Sequence, residues 1–249
     1  KDIRTFIFEQ IQTFCLENNL PKFRAKQLEE WLWKKRATSF DEMTSLSKEI
    51  RNLFADHFVI NPVKIYKAEK SIDSTIKYSM QLHDKNLVEG VLIPSKKRIT
   101  ACISSQVGCS LDCTFCATGT LKLERNLDTA EIYDQVFILN EESISNFGKP
   151  LSNIVFMGMG EPLLNYNNLL ESIELITTNK GLGMSPKRIT VSTAGIAKMI
   201  KKLADDEIKF NLAISLHTAS DSKRDMLMTL NKKVNLAELR ESIRYFYDK

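Results

Sequence analysis

Three of the five cysteines of this chain lie within eight residues, in the run Cys109-Ser-Leu-Asp-Cys113-Thr-Phe-Cys116. Crowded thiolates repel one another and oxidise readily unless a metal neutralises them. A disulfide would use only two of the three, and the spacing differs from the paired C-x₂-C clips of a four-thiolate zinc site. Three thiolates can hold three irons of a [4Fe–4S] cluster and leave the fourth iron open, whereas ferredoxin-type clusters use four cysteines. We therefore predict that Cys109, Cys113 and Cys116 are cluster ligands; the alternatives are buried loop cysteines or a zinc site completed elsewhere.

The elements that must position these cysteines alternate between strand and helix from Arg98 onward. Period-two apolar runs predict strands at 99–104, 153–157, 188–192 and 210–216, and helical spacing predicts helices at 128–143, 166–178, 195–205 and 236–247. This order is typical of an α/β fold with a parallel sheet. A polar motif follows each strand, and the carboxyl ends of parallel strands share one edge, so we expect one site there. The motifs are the cysteine loop, Gly158-Met-Gly-Glu161, Ser192-Thr-Ala-Gly195 and Ser215-Leu-His217.

The first hundred residues have a different organisation. Helical spacing predicts helices at about 3–15, 23–35 and 47–57, and short alternating runs predict strands at 63–67, 76–82 and 88–93. We therefore expect a small helical accessory domain (1–60), a β extension (61–97) and an α/β core (98–249). The basic side chains of the helical domain could bind RNA, or they could simply form the solvated face of that domain.

Charge is unevenly distributed along the chain, although the net charge is only +4. Residues 61–100 carry eight Lys/Arg against four Asp/Glu. A basic collar near the site would suit RNA phosphates, but solvated surface lysines explain the surplus equally well. No apolar run reaches transmembrane length and no signal-peptide pattern is present. Together with unpaired cysteines, this predicts a reducing cytoplasm and no membrane association.

The C-x₃-C-x₂-C spacing resembles the signature of the radical S-adenosylmethionine (radical SAM) enzymes. Its flanks, Ser104–Cys109, Phe115–Gly119 and Gly158–Leu163, are similar to those of the RlmN/Cfr family, which methylates adenine in RNA. The resemblance runs from about Phe23 to the last residue and implies a partial (βα) barrel of six units. Only about four units are recognisable here, so we expect the native protein to continue past Lys249.

The same resemblance assigns roles to individual residues. It implies that Gly160 and Glu161 hold the amino group of S-adenosylmethionine, and it gives further cofactor contacts to Ser192, Ser215, Leu216 and His217. Cys102 is implied in catalysis, by proton removal or by an attack that forms a disulfide, and Glu89 is the other candidate proton acceptor. Apolar neighbours in the sequence suit Glu89 to base work.

Taken without the resemblance, these residues have simpler interpretations. A Gly-x-Gly pair is often a turn, His217 a structural histidine, Cys102 a small core residue and Glu89 a surface-facing strand residue.

The activity implied is methylation of adenosine C2 in 23S rRNA, at the peptidyl transferase centre, and in the anticodon loop of tRNA. In the family a cysteine near the C terminus is first methylated, and a 5′-deoxyadenosyl radical then activates that methyl group. No cysteine follows Cys116, so we expect the methyl-accepting cysteine beyond residue 249 and no complete methyl transfer by residues 1–249 alone. A flavodoxin-type electron donor and a monomeric enzyme are further expectations.

Three other functions remain open from the sequence. A Cfr-like enzyme would methylate adenine C8, although Pro162 favours the RlmN side by resemblance. A radical SAM enzyme could act on another substrate. A zinc-stabilised RNA-binding module would complete the three cysteines with Cys102 or a histidine.

Overall fold

A computed structural model describes residues 1–249 of the protein. The helices are α1 (Phe8–Glu17), α2 (Phe23–Glu29), α3 (Lys48–His57), α4 (Thr129–Phe147), α5 (Tyr166–Thr177), α6 (Ala197–Asp205), α7 (Asp221–Leu227) and α8 (Leu236–Asp248). The strands are β1 (Lys64–Lys70), β2 (Ile76–Gln81), β3 (Leu87–Pro94), β4 (Ile99–Cys102), β5 (Gln106–Val107), β6 (Arg125–Asn126), β7 (Asn153–Phe156), β8 (Ile189–Thr193) and β9 (Asn211–Ile214).

Seven strands form one sheet in the order β1-β2-β3-β4-β7-β8-β9. Strands β4, β7, β8 and β9 are parallel, and helices connect them along the chain. The α/β fold with a parallel sheet is therefore confirmed. The β extension does not form a separate layer, because β1, β2 and β3 pair antiparallel and β3 pairs antiparallel with β4. It is the antiparallel side of the same sheet.

Burial alternates along β2, β4, β7 and β8, as the period of two requires, whereas β1 at the edge of the sheet is exposed throughout. One face carries apolar side chains such as Tyr78, Ala101, Phe156 and Val191, all at most 1% exposed, within the largest core cluster. Side chains of α4, α5, α6 and α8 belong to the same cluster. The other face, called the open face below, carries partly exposed residues. One row of the open face, in register across the sheet, is Lys77, Val91, Cys102, Val155 and Thr190.

The N-terminal residues form a second core cluster of 12 buried residues, all between Ile3 and Phe54. Two of the predicted helices differ in detail from the structure. The first is interrupted, because Asp2 caps a short 3₁₀ turn at Ile3–Thr5 and Phe6 is extended before α1 begins. The second continues from α2 as a π-helix at Glu30–Lys34, with the N–H of Lys35 bonded to the Glu30 carbonyl.

A buried ionic network joins this N-terminal part to α4. The carboxylate of Asp134 on α4 is fully buried and lies 3.0 Å from Arg4 and 2.9 Å from Arg36. It also accepts the backbone N–H of Val63 at 3.0 Å. Asp2 pairs with Arg4 at 3.0 Å and accepts the backbone N–H of Asn61 at 2.9 Å. Both acids are therefore neutralised and hydrogen-bonded, which a buried charge requires.

No helix of the structure combines the length and the apolar composition that crossing a membrane would take.

Candidate active site

The cysteine loop connects β5 to β6. These two strands form a short antiparallel ribbon that the sequence did not predict. The backbone N–H of Cys109 donates to the Leu121 carbonyl at 3.3 Å, and the N–H of Cys116 donates to the Cys113 carbonyl at 3.1 Å. The loop is also tied to the end of α7, where the N–H of Thr114 donates to the carbonyl of Leu227 at 3.0 Å. These bonds hold the three thiols in a fixed loop above the carboxyl end of the sheet.

All three thiols are half-buried and free. Burial, together with the neighbouring Cys109 and Cys116, raises the pKa of Cys113 to about 11, while the charge of Arg224 opposes the rise. The Cys113 thiol therefore stays protonated at neutral pH unless a cation displaces the proton.

The loop does not present a preformed site for a single metal ion. No group of three or more His, Cys, Asp or Glu side chains converges on a point where one metal ion could bind. A zinc ion needs such convergence, whereas a [4Fe–4S] cluster bonds each cysteine to a different iron.

Glu161 lies at the end of the β7 loop and is only 3% exposed. Its Oε2 accepts the backbone N–H of Ala194 at 2.7 Å, and its Oε1 accepts the N–H of Leu163 at 3.1 Å. Burial raises the pKa of the carboxyl, and the hydrogen bond from Ala194 opposes that rise. No Lys, Arg or His pairs with it, so a cationic ligand in the adjacent cleft would supply the missing partner.

Gly160 holds this loop against the protein itself. Its φ is +94°, and an added Cβ would lie 2.5 Å from Cβ of Gln106. The sequence suggested that glycine here lets the backbone approach a ligand. The structure gives a second reason, which is close packing on Gln106, whose Oε1 accepts the N–H of Glu161 at 2.8 Å.

Ser192 in β8 and Ser215, the residue directly after β9, have their Oγ atoms 3.0 Å apart. Strand β9 ends at Ile214, and the chain then turns sharply, so that His217 adopts a left-handed backbone with φ of 61°. The ring of His217 lies 4.1 Å from that of Phe115 in the cysteine loop, centroid to centroid. Leu216, which stands between Ser215 and His217 in the sequence, is 43% exposed.

These motifs converge on one cleft of about 230 Å³. It lies at the shared carboxyl edge of the parallel strands, where the sequence analysis expected a site. Most of the predicted site residues line the cleft, namely Cys109, Cys113, Cys116, Gly160, Glu161, Ser192, Ser215 and His217. Three do not line it: Leu216, Cys102 and Glu89.

Cys102 and Glu89 instead lie on the open face, below the cleft. Cys102 pairs with Val91, two residues along β3 from Glu89, so the two side chains are diagonal neighbours on one face, with Cα atoms about 7–8 Å apart. Burial raises the pKa of Cys102 to about 11, against the hydrogen bond from the backbone of Met157, a cleft residue.

The expectation that Glu89 has apolar surroundings is wrong. Its side chain is 50% exposed and its Oε1 lies 3.2 Å from Nζ of Lys77. Alternation in the sequence placed Glu89 in a strand but did not reveal that it lies on the open face, diagonal to Lys77 of β2.

Two residues important to the geometry were assigned no role from the sequence. Gln106 bonds the Glu161 backbone, and its Nε2 donates to Asn126 of the ribbon at 2.7 Å. Arg224 on α7 is fully buried, yet it has no carboxylate partner, and it donates to the Ala194 carbonyl at 2.6 Å and to Asn231 at 2.7 Å. In the sequence Arg224 stands among polar residues and looks like a surface side chain, so no signal marked it.

Three of the eight basic residues of 61–100 lie away from the cleft and do not contribute to the expected collar. Lys96, Lys97 and Arg98 lie in the β3–β4 connection, at the amino-terminal edge of β4. The cleft is at the opposite, carboxyl edge, so that part of the expectation is wrong.

Comparison with known proteins decides the family. The chain is 55% identical over its whole length to a protein of Flavobacterium psychrophilum named "Probable dual-specificity RNA methyltransferase RlmN", and spans 72% of that protein. A protein of Christiangramia forsetii with the same name is 56% identical over the whole chain, which spans 71% of it. The chain belongs to the RlmN family.

The other comparisons agree with membership of the RlmN family. Residues 103–249 match the family model described as the Radical SAM superfamily, and residues 2–60 match the ribosomal RNA large subunit methyltransferase N-terminal domain. The crystal structure of a radical SAM methyltransferase from Sphaerobacter thermophilus superposes with a TM-score of 0.89 at 32% identity, covering 98% of this chain and 72% of that one.

Radical SAM enzymes such as RlmN use a [4Fe–4S] cluster and S-adenosylmethionine, and the donor set of the cleft fits both groups. Three free thiols are available to iron, and a buried carboxylate without a counter-ion is available to the cofactor's ammonium group.

Proposed function

We propose that this radical SAM methyltransferase of the RlmN type methylates C2 of adenosine in 23S rRNA and tRNA. The observation that carries the proposal is the meeting of three free thiols and the unpaired, buried Glu161 carboxylate in one cleft. The names of the relatives, dual-specificity RNA methyltransferases, supply the substrate class.

In this proposal the cleft residues bind two groups. Cys109, Cys113 and Cys116 would hold the cluster, and Glu161, next to Gly160, would accept hydrogen bonds from the amino group of S-adenosylmethionine. When bound, the two groups would supply the electron and the 5′-deoxyadenosyl radical of the reaction. Ser192, Ser215 and His217, which line the cleft, would contact the polar parts of the cofactor.

Glu89 and Cys102 are the two candidates for the group that takes the C2 proton. Both are on the open face, close to each other and adjacent to the cleft. Glu89 pairs with Lys77 as a carboxylate and can accept a proton directly. The thiol of Cys102, with its pKa raised to about 11 by burial, must first lose its own proton. This difference favours Glu89 as the proton acceptor and leaves Cys102 for the alternative role, resolution of a covalent intermediate through its sulfur.

The remaining partners follow from the proposed chemistry. A flavodoxin-type protein would supply the electron to the cluster, and the enzyme would act as a monomer. The five free cysteines support the expectation of a reducing cytoplasm.

The first test is anaerobic reconstitution of the full-length protein with iron and sulfide, followed by EPR of the reduced sample. We expect a cluster spectrum that changes when S-adenosylmethionine is added and that is lost in Cys113→Ala. Metal analysis runs in parallel. Stoichiometric zinc without iron would overturn the enzymatic proposal and leave an RNA-binding module.

The methylated position needs its own assay. Full-length reconstituted enzyme is given methyl-labelled S-adenosylmethionine, reductant and a 23S rRNA fragment or a tRNA transcript, and the RNA is digested to nucleosides for mass spectrometry. We expect the label in 2-methyladenosine from both RNAs. Label in 8-methyladenosine would instead establish the Cfr-like reaction. A Glu89→Gln variant is expected to lose product formation while keeping the cofactor-dependent EPR change.

A further inference from the structure

A second concave surface lies at the opposite end of the parallel strands. It is a pocket of about 390 Å³, called the basic pocket below, between the β3–β4 connection, the α4–β7 connection and the residue preceding β8. Five of its lining residues are basic: Lys96, Lys97, Arg98, Lys149 and Arg188. No acidic residue lines it.

The position of the basic pocket follows from the strand directions. Arg98 and Arg188 immediately precede β4 and β8, whereas the cysteine and Ser192 motifs follow or end the same strands. Strand β8 has five residues. Because a strand rises about 3.3 Å per residue, the pocket and the cleft at its two ends are roughly 17 Å apart. The cofactor site and the basic pocket are therefore distinct.

The charges of the basic pocket are uncompensated. All five basic residues are exposed, and none forms an ion pair. Unpaired basic residues also occur elsewhere on the surface, such as Lys198, Arg240 and Arg244; the basic pocket differs from them in gathering five in one concavity with no acidic residue. Like charges gathered in a concavity repel one another and raise the local positive potential, which attracts a polyanion.

We propose that the basic pocket binds backbone phosphates of the substrate RNA, away from the nucleotide that is modified. The inference rests on the RNA substrate of the proposed function. RNA fits because successive phosphates along a strand are only a few ångströms apart, so several nucleotides span the roughly 17 Å between pocket and cleft. One RNA molecule can therefore reach both sites.

The test is the salt dependence of RNA binding by the full-length enzyme, measured by fluorescence anisotropy with a labelled tRNA transcript. The variant is Lys96→Ala with Lys97→Ala and Arg98→Ala. We expect weaker binding and a slope of log K against log salt that is smaller by about 2–3, because each lost phosphate contact removes about 0.7–0.9. S-adenosylmethionine binding and thermal unfolding should stay as in the wild type.

A charge-matched control separates a specific pocket from general electrostatics. Lys198, Arg240 and Arg244 are exposed on α6 and α8 and form no ion pair, so their triple alanine variant removes the same charge elsewhere. An unchanged slope in the pocket variant, or an equal loss in the control, would overturn the inference. Failure of the wild type to bind RNA at all would overturn the proposed RNA substrate together with it.

Discussion

At the residue scale, Glu161 has the most informative environment. A carboxylate that is 3% exposed and lacks a cationic partner is costly, because two backbone N–H donors replace only part of its hydration. Proteins retain such groups where a ligand completes them. The ammonium group of S-adenosylmethionine has the required charge and hydrogen-bond donors.

Glu161→Gln keeps the size of the side chain and removes its charge. We expect S-adenosylmethionine to bind about 10- to 100-fold more weakly, since a hydrogen bond to a charged group contributes about 1.5–3 kcal/mol. Calorimetric titration of the reconstituted, anaerobic protein measures the affinity. Glu124→Gln, an exposed change near the cysteine loop, is the matched control. Equal affinities for wild type and Glu161→Gln would remove Glu161 from the cofactor site.

The same titration has a predicted pH dependence. Only the ionised carboxylate attracts an ammonium group, and burial raises the pKa of Glu161. Affinity should therefore be full where Glu161 is ionised and the ammonium group is still protonated, and fall as pH decreases through the raised pKa of Glu161, beginning at a higher pH than for an exposed glutamate. Glu161→Gln should lack this fall.

Cys102 permits a second prediction at this scale. With a pKa of about 11, against 9.0 for an unshifted thiol, roughly one molecule in a thousand carries the thiolate at pH 8. We expect N-ethylmaleimide to label Cys102 about 100-fold more slowly in the folded than in the urea-unfolded protein, with a rate that rises tenfold per pH unit up to about pH 11. Peptide mapping by mass spectrometry follows each cysteine. Equal folded and unfolded rates would contradict the burial that raises its pKa.

At the scale of single elements, the loops that follow β7, β8 and β9 are fixed by contacts between them. Gly160 packs on Gln106, Glu161 accepts from the backbone after β8, and Ser192 meets Ser215. The site is therefore built by adjacent loops together, and a small change in one loop should propagate to its neighbours.

Gly160→Ala tests this dependence. The new Cβ would combine an unfavourable φ of +94° with a 2.5 Å contact to Gln106. We expect a loss of about 2–5 kcal/mol in the free energy of unfolding, from backbone strain and overpacking. Gly148→Ala is the control, because its φ is +67° but no atom lies within 4 Å of the added Cβ, so strain alone should cost about 1 kcal/mol. Urea denaturation measures both, and similar losses would mean that the packing on Gln106 is unimportant.

At the scale of the whole molecule, Asp134 joins the N-terminal helices to the α/β core. It neutralises Arg4 and Arg36 and accepts the backbone N–H of Val63, residues that lie 130, 98 and 71 positions away in the sequence. A substitution would leave the guanidinium of Arg4, whose side chain is 2% exposed, with Asp2 as its only carboxylate partner.

Asp134→Asn is expected to destabilise the protein by about 3–5 kcal/mol, the usual result of removing one partner from a buried ion pair. Urea denaturation measures the change. The additional substitution Arg36→Met should recover part of the loss, because Asp134 is the only carboxylate partner of Arg36, whereas Arg4 keeps Asp2. Asp41→Asn is the control: its side chain is 92% exposed and 3.9 Å from Arg51, so no measurable change is expected. A loss at Asp134 no larger than at Asp41 would show that the network does not couple the two parts.

The sequence by itself determined the fold class and predicted eight of the residues that line the cleft. The structure contains the strands predicted from alternation at 153–157 and 188–192 and the helix predicted from helical spacing at 166–178. Each predicted end differs from the observed end by at most one residue. Because the polar motifs follow parallel strands, strand direction alone brings Cys113, Glu161 and His217 to one edge. Local spacing encodes these features, so they can be read without a structure.

Only the tertiary structure decided the surroundings of each side chain. Glu89 meets Lys77 through strand pairing, Arg224 is buried by the cysteine loop region and the β8 loop, and Lys96 lies at the edge of the sheet away from the cleft. Asp134 finds its partners across half the chain. Burial and ion pairing depend on contacts between residues distant in sequence, and the period of a strand or helix carries no information about which distant residue will be the neighbour.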